Sequence, residues 1–454
     1  MIDINKISSI YFAGIGGIGM SALARYFNYK GIKVSGYDKT ETTLTKKLQE
    51  EGIEINFIDD VNLLDKGASV VVYTPAIPAA NLQLAYYRNN GYALLKRSDI
   101  LELITKTTFN ICIAGTHGKT TTSAMVAHIL KNTGYGCTTF LGGIATNYNT
   151  NFWHSNNNVC VVEADEYDRS FLKLNPDIAI ITSMDADHLD IYGTEENMQN
   201  AFIDFSTKIK PNGCLIIKEN INRINDFKVK DTCTYNINNS TANISVQNIT
   251  INNGAYVFDV VNKYWHINNI VLNMGGLHNI ENAIAAIGVA KYLNIDDNKI
   301  IEAVASFAGV KRRFEYVVKN EKQVYIDDYA HHPEELRALI IGAKNLYPTM
   351  KCTVIFQPHL FSRTNDLAKG FAEVLSLADE TILLPIYPAR ELPMLGVTSE
   401  IVLDKMSNKQ KSIKQKSEIL EWLKNNKCQL LITAGAGDID TLVQPIKNII
   451  STNE

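Results

Sequence analysis

Twice before residue 122, a short apolar strand runs into a glycine-rich loop that opens a helix: ISSIYFAGIGGIGMSALARYFNYKG, then FNICIAGTHGKTTTSAMVAHILKNTG. Buried strands that alternate with helices read as a parallel sheet covered on its faces, because parallel strands need a crossover between them. The same alternation returns near the end of the chain, in QVYIDDYA, CTVIFQP, ETILLPIY and QLLITAGAGD, each separated from the next by a helical stretch. Between about 213 and 275 the text turns β-rich and asparagine-heavy, which predicts antiparallel strands inserted in or appended to the central part. At 454 residues the chain is expected to hold about three domains of ~100–200 residues. The predicted fold is therefore α/β: a Rossmann-like domain at 1–104, a central P-loop α/β domain with a β-rich insertion at 105–310, and a second Rossmann-like domain at 311–454. The expected linkers are 100–108 and 305–315.

Each loop points to an anion. Gly14, Gly16, Gly17 and Gly19 have the spacing G-x-G-x-x-G, which lets backbone N–H groups approach a diphosphate at a helix N-terminus. Asp38 ends the next strand, where an acidic residue meets a ribose in NAD enzymes. From these residues alone the loop serves a nicotinamide cofactor, a UDP-sugar or nothing but a turn. The second loop, Gly115-Thr116-His117-Gly118-Lys119-Thr120-Thr121, is a shortened form with Ile113 where a longer phosphate loop has glycine. Its backbone suits a triphosphate, with the Lys119 ammonium on the outer phosphates and the Thr120 hydroxyl on Mg²⁺. Glu163 ends the apolar run NVCVVE, where a further metal ligand belongs, and Asp185, Asp187 and His188 follow another such run. A histidine on Mg²⁺ is unusual, and without its neighbours His188 reads as a surface turn.

Composition narrows the class further. A net charge of −4 and a pI near 6.2 argue against a nucleic-acid partner, which calls for a basic surplus. Seven scattered cysteines with no CxxC pair fit buried thiols in a reducing compartment and offer no zinc site. The opening MIDINKISSIYFAG lacks the cationic start and long apolar core of a secretory signal. No apolar run approaches membrane-spanning length. The expectation is a cytoplasmic monomer or homodimer that acts on small molecules, with no nucleic acid and no membrane as partner.

Taken in order, GIGGIGMSALA, AGTHGKTTT, EADEYDRSFL, DADHLDIY, GLHNIENAIAA, RRFE, DDYAHHPEE, FQPHLFSRT and TAGAGD resemble the Mur ligase family, over nearly the whole chain. The resemblance implies an ATP-dependent ligase that adds L-alanine to the lactyl carboxylate of UDP-N-acetylmuramate through an acyl phosphate, with ATP and Mg²⁺ as cofactors. It implies that Gly14, Gly16, Gly17 and Ile18 hold the UDP diphosphate, with Asp38 near the uridine. It places ATP on Gly115 to Thr121, with Thr120 and Glu163 on one metal ion and His188 on a second. Asn279 and Asn282 would contact adenine. Arg313 and Asp328 would reach a phosphate and the ribose, with Arg312 and Asp327 as the adjacent alternatives. Tyr329, His331, His359 and Arg363 would surround the reacting carboxylate and the amino acid, with His359 on the UDP-sugar side. Lys119, Glu163, His188 and Arg363 are the expected catalytic set. Leu360 stands where relatives often carry an arginine. Within the family the rival is a ligase that recycles an intact tripeptide; outside it, a non-catalytic nucleotide sensor or a dehydrogenase.

Overall fold

The computed structural model describes residues 4–238, 241–389 and 391–452. Its first sheet contains β1 (Ser9–Ala13), β2 (Lys33–Tyr37), β3 (Glu54–Asn56), β4 (Val70–Tyr73) and β5 (Leu94–Lys96). The order is β3-β2-β1-β4-β5 and every pairing is parallel. Strand order reverses at β1, and open α/β sheets bind ligands at such a reversal, beyond the strand carboxyl ends. The loop Gly14–Gly19 stands there.

The second sheet holds β6 (Phe109–Ala114), β7 (Thr138–Ala145), β8 (Thr150–Trp153), β9 (Val159–Glu163), β10 (Ile178–Ile181), β11 (Cys214–Lys218), β12 (Asp231–Asn236), β13 (Ile244–Asn252), β14 (Ala255–Asn262) and β15 (Trp265–Leu272). Its order is β15-β14-β13-β12-β11-β10-β6-β9-β7-β8, with β8 antiparallel at one edge. The asparagine-rich text thus extends this sheet. Two-residue turns join β13 to β14 and β14 to β15, which makes these strands antiparallel neighbours. Asn253 (φ 49°) and Gly254 (φ 69°) supply the paired left-handed conformations of a hairpin turn.

The third sheet holds β16 (Glu315–Lys319), β17 (Val324–Asp328), β18 (Cys352–Phe356), β19 (Glu380–Leu383), β20 (Gln410–Ile413) and β21 (Leu430–Ala434). The order is β16-β17-β21-β18-β19-β20, parallel except for β16. Sequence reading missed both edge strands. A strand such as QKSI (410–413) has one neighbour and lacks the apolar run that marks a buried strand.

The expected linker at 100–108 is corrected. A helix spans Arg97–Thr105 and buries Ile100, Leu101 and Ile104, the spacing of a helix stripe, so only residues 106–108 connect. Within the other expected linker, residues 307–314 lie between a helix ending at Ser306 and β16 at Glu315. Contacts divide the chain into two compact units. One is Met1–Gln247 with Val260–Asn268 and Glu281–Val304; the other is Asn248–Asp259 with Asn269–Ile280 and Ala305–Glu454. In the first unit Phe12 and Phe27 share one core with Phe140 and Phe152, and buried Arg25 bonds both Glu51 and Asn151. Residues 1–104 therefore have a sheet of their own but not a separate core. In the second unit Tyr325, Ile355, Ile382 and Leu431 form the core. The seven cysteines are free and six are buried. Among the described residues no helix is long and apolar enough to cross a membrane.

The helix after the second glycine loop, Lys119–Asn132, is almost wholly buried. His128 on it is 2% exposed; its Nε2 meets the Ala303 carbonyl at 2.9 Å and its Nδ1 the Tyr148 hydroxyl at 2.8 Å. A carbonyl requires Nε2 to carry the hydrogen, so in the neutral ring Nδ1 accepts from Tyr148. Burial lowers its pKa to about 4. The unfolded histidine takes up its proton near 6.5, so between these values the unfolded chain binds more protons and stability falls as pH falls. Measured from about pH 7 to 4, the stability advantage of the wild type over His128→Gln should shrink by up to about 3 kcal/mol.

Candidate active site

The second loop is built between two neighbouring strand ends. Gly115 has φ 137°, and a Cβ there would lie 2.0 Å from the Thr182 hydroxyl, so only glycine fits. Thr182, just past β10, donates to the carbonyls of Ala114 and His117, while the Ser183 hydroxyl meets Thr116 Oγ1 at 2.9 Å and accepts from His117 N–H at 2.8 Å. The loop is thus fastened from behind. His117 points outward, its Nε2 4.0 Å from Asp185 Oδ2, and Thr121 is buried in the first helical turn. Gly118, at φ 81°, lies against the Asn282 side chain, which also accepts from Thr122.

Lys119 is held inside. Its Nζ donates to the Gly115 carbonyl at 2.6 Å and to Glu166 Oε1 at 2.8 Å. Glu166 is fully buried, and its Oε2 has no hydrogen-bond partner. Burial pushes the Glu166 carboxyl pKa up and the Lys119 ammonium pulls it back. Thr120 Oγ1 donates to Glu163 Oε1 at 2.9 Å, and Glu163 Oε2 accepts from Gly142 N–H at 2.9 Å. His188 Nε2 stands 3.9 Å from Glu166 Oε1 and 3.6 Å from Asp187 Oδ2. Ligand atoms of Glu166, Asp187 and His188 all lie within 4.8 Å of one another. His188 adopts the left-handed conformation, φ 49° and ψ 41°, a strain typical of functional positions, and its N–H donates to the Asp187 carboxylate. Sequence reading missed Glu166, although it lies in the motif EADEYD; nothing in the text distinguishes a buried acid from its exposed neighbours.

The first loop belongs to the same unit. Gly14 and Ile15 N–H donate to the Tyr37 carbonyl. Asp38 accepts from Gly16 N–H at 2.8 Å and from Thr40 N–H at 3.1 Å, so its carboxylate shapes the turn. Gly17 starts the helix Ile18–Tyr29 with no side-chain cap, which leaves the first N–H groups for an anion. The Arg97 guanidinium packs against Gly19 and bonds Asp165 at 3.1 Å. Arg97, which sequence reading did not single out, thus stands beside the first loop with Asp165 as its counter-ion.

The second unit carries the remaining residues. The segment after Val310 is strained, with Arg312 at φ 60° and Phe314 at φ 49°. Carboxylates fasten it: Glu315 accepts from Arg312 N–H at 2.9 Å, and Asp328 from Phe314 N–H at 2.6 Å. Arg312 also pairs with Asp327 at 3.2 Å. Asp327 is 0% exposed, accepts from Thr433 at 2.6 Å, and burial pushes its pKa up to about 7 against the pull of Arg312. That pair is structural. Arg313 is exposed over the Tyr329 ring, whereas the half-buried Asp328 also accepts from Ala330 N–H at 2.7 Å, so both of its oxygens are engaged by backbone. Buried Asn279 donates to the Gly275 carbonyl at 2.7 Å. Beyond β17 and β18, Tyr329, His331 and His359 form a chain of ring contacts, with centroids 5.2 and 6.1 Å apart, and His359 stacks on Tyr387. Arg363 Nη1 lies 3.4 Å from His359 Nδ1. Desolvation, then Arg363 and His331, lower the His359 pKa; desolvation also lowers that of His331, with Glu335 opposing. Leu360 starts the helix Phe361–Leu375 at φ 71°.

Three family models match successive parts of the chain: the Mur ligase family catalytic domain at residues 9–108, the Mur ligase middle domain at 113–290, and the Mur ligase glutamate ligase domain at 312–437. The UDP-N-acetylmuramate–L-alanine ligase of Flavobacterium johnsoniae is 47% identical over the full length of both chains. The chain belongs to the Mur ligase family. That of Cytophaga hutchinsonii is 45% identical to this Mur ligase, over 98% of this chain and 97% of that one. Among solved structures, the UDP-N-acetylmuramate-alanine ligase of Thermotoga maritima is similar with a TM-score of 0.85 at 28% identity, over 98% of this Mur ligase and 100% of that chain. A murein peptide ligase of Psychrobacter arcticus shares the fold, with a TM-score of 0.68 at 22% identity over 98% of both chains.

Two measurements separate support from function here. Arg312→Met should cost roughly 3–5 kcal/mol well above pH 7, because it strands a buried carboxylate, and less at and below about pH 7, where Asp327 takes up a proton. Arg313→Met should leave the melting temperature nearly unchanged. By histidine NMR, His359 should titrate below the ordinary value of about 6.5 and move upward in Arg363→Met, which removes a neighbouring positive charge.

Proposed function

We propose that this Mur ligase joins L-alanine to the lactyl carboxylate of UDP-N-acetylmuramate, converting ATP to ADP and phosphate, in the bacterial cytoplasm and as a monomer or homodimer. The observation that carries the reaction type is the half-buried Lys119 in a glycine loop, flanked by the carboxylates of Glu163 and Glu166. The full-length relatives, at 44–47% identity, support the choice of acceptor and amino acid.

The donor set fits divalent cations. Thr120 and Glu163 offer hard oxygens side by side, and Glu166 holds a buried oxygen without a partner beside Asp187 and His188. Oxygen-rich sites of this kind suit Mg²⁺ or Mn²⁺. In this reading Thr120 and Glu163 hold one Mg²⁺ and His188 serves a second; bound there, the ions offset charge between two anions that must meet.

A lactyl carboxylate oxygen attacks the γ-phosphorus, and the bond to the bridging oxygen breaks to release ADP, which leaves an acyl phosphate. Lys119, fixed by the loop carbonyl, neutralises charge on the transferring phosphoryl group without reorganising. Gly115 to Thr121 cradle the phosphates. Asn279 and Asn282 serve the adenine; Arg313 and Asp328 serve a phosphate and the ribose. The alanine nitrogen then attacks the carbonyl carbon, and the tetrahedral intermediate expels phosphate. Arg363 binds the amino-acid carboxylate, with Tyr329 and His331 alongside, and His359 contacts the UDP-sugar. Burial keeps His331 and His359 neutral, so either ring can take the proton that the amine sheds. Gly14, Gly16, Gly17 and Ile18 hold the UDP diphosphate.

Phosphate release from ATP with UDP-N-acetylmuramate, scanned across amines, tests the assignment. L-alanine should be fastest, with glycine and L-serine weak, since one methylene is worth about 1–3 kcal/mol. Without an amine, hydroxylamine should trap a hydroxamate. Lys119→Ala should lower kcat by at least ~100-fold. Faster turnover of the tripeptide would make the chain a recycling ligase; a failure of every amine to bring about phosphate release would leave a nucleotide sensor.

A further inference from the structure

Glu166 has two relationships that ATP cannot leave undisturbed. Its Oε1 holds the Lys119 ammonium at 2.8 Å, and its buried Oε2 has no hydrogen-bond partner. On the same side chain, Asp187 and His188 complete a group whose ligand atoms lie within 4.8 Å of one another. Around Lys119 Nζ, Gly115 O and Glu166 Oε1 are close acceptors, while Thr116 O at 3.5 Å is marginal. The ammonium that should meet the phosphates is therefore already neutralised by a buried carboxylate. Phosphate oxygens arriving at Lys119 would also meet that carboxylate, and like charges in a desolvated site repel strongly.

We propose that Glu166 couples metal to nucleotide: its carboxylate holds Lys119 in the nucleotide-free protein, and passes to a divalent cation held with Asp187 and His188, which frees Lys119 for the phosphates. Glu166 is thus a positioning residue that acts through Lys119, and the inference rests on the phosphate-loop reading above. Unpaired, a buried carboxylate is costly; paired first with Lys119 and then with the cation, its charge is compensated in both states. The arrangement favours filling the cation site together with the triphosphate, since each removes the partner that the other needs removed.

The test reads Lys119 directly. The full-length protein, without nucleotide, is treated with an amine-reactive reagent with and without Mn²⁺, and labelling of Lys119 is followed by mass spectrometry. Binding of a non-hydrolysable ATP analogue is measured in parallel by calorimetry, in Mn²⁺ and in chelator. In the wild type, Mn²⁺ alone should raise Lys119 labelling several-fold. In Glu166→Gln, labelling should be high with or without Mn²⁺, and analogue binding in chelator should tighten by on the order of tenfold, because the competing charge is gone. Asp187→Asn leaves the Lys119–Glu166 pair in place, so it keeps the low labelling of the metal-free wild type but should lose the response to Mn²⁺; this arm stands even if Glu166→Gln fails to fold. Wild-type labelling that ignores Mn²⁺ while the analogue still binds would overturn the coupling and leave the function standing. A wild type that binds no analogue under any condition would remove the phosphate-loop reading itself.

Discussion

Parallel pairing of three adjacent strands, β10, β6 and β9, is the constraint on which the nucleotide half of the site depends. Their ends are level, with Ala114 opposite Ile181 and Ile113 opposite Glu163, so everything that follows each strand emerges along one edge. The glycine loop follows β6, the two glutamates stand at and beyond the end of β9, and Thr182 to His188 follow β10. Gly115 is the point of closest approach, where the loop backbone lies on Thr182 with no room for a Cβ. Lengthening any of the three strands by one residue would rotate its following side chains to the opposite face and scatter the cluster.

Charge is handled differently at the two kinds of position. Arg312 and Asp327 form a closed pair, supported by Thr433, that fastens a strained turn. Lys119 and Glu166 are as deeply placed, yet Glu166 keeps one oxygen unmatched and a histidine and an aspartate within reach. A buried polar atom without a partner is expensive, so the second pair is built for a change of partners and the first is not.

Much of this was legible in the text. The glycine spacings located both strand–loop–helix turns, and apolar runs located the buried parallel strands, since a strand covered on both faces has to be apolar throughout. Glu163 could be read because it ends such a run. The edge strands β16 and β20 could not, because one free edge relaxes that demand. The helix Arg97–Thr105 was taken for a linker, although Ile100, Leu101 and Ile104 have helical spacing; a single short stripe is ambiguous until something covers it. That Phe12 and Phe27 share a core with Phe140 and Phe152 was not legible for a related reason, since Tyr26 and Phe27 read as an amphipathic face whatever they pack against.

By itself, the sequence determined the fold class, the order of the sheets and the two glycine turns that lead from strand to helix. Glycine at those spacings marks tight turns, and period-two and helical patterns are local properties of the chain. Only the tertiary structure decided which of two neighbouring acids faces the lysine, which of Arg312 and Arg313 pairs with the buried Asp327, and that Arg97 stands beside Gly19. Those are choices among chemically equivalent residues, and what separates them is desolvation: a property of the surroundings, supplied by segments tens of residues away, that no stretch of text carries on its own.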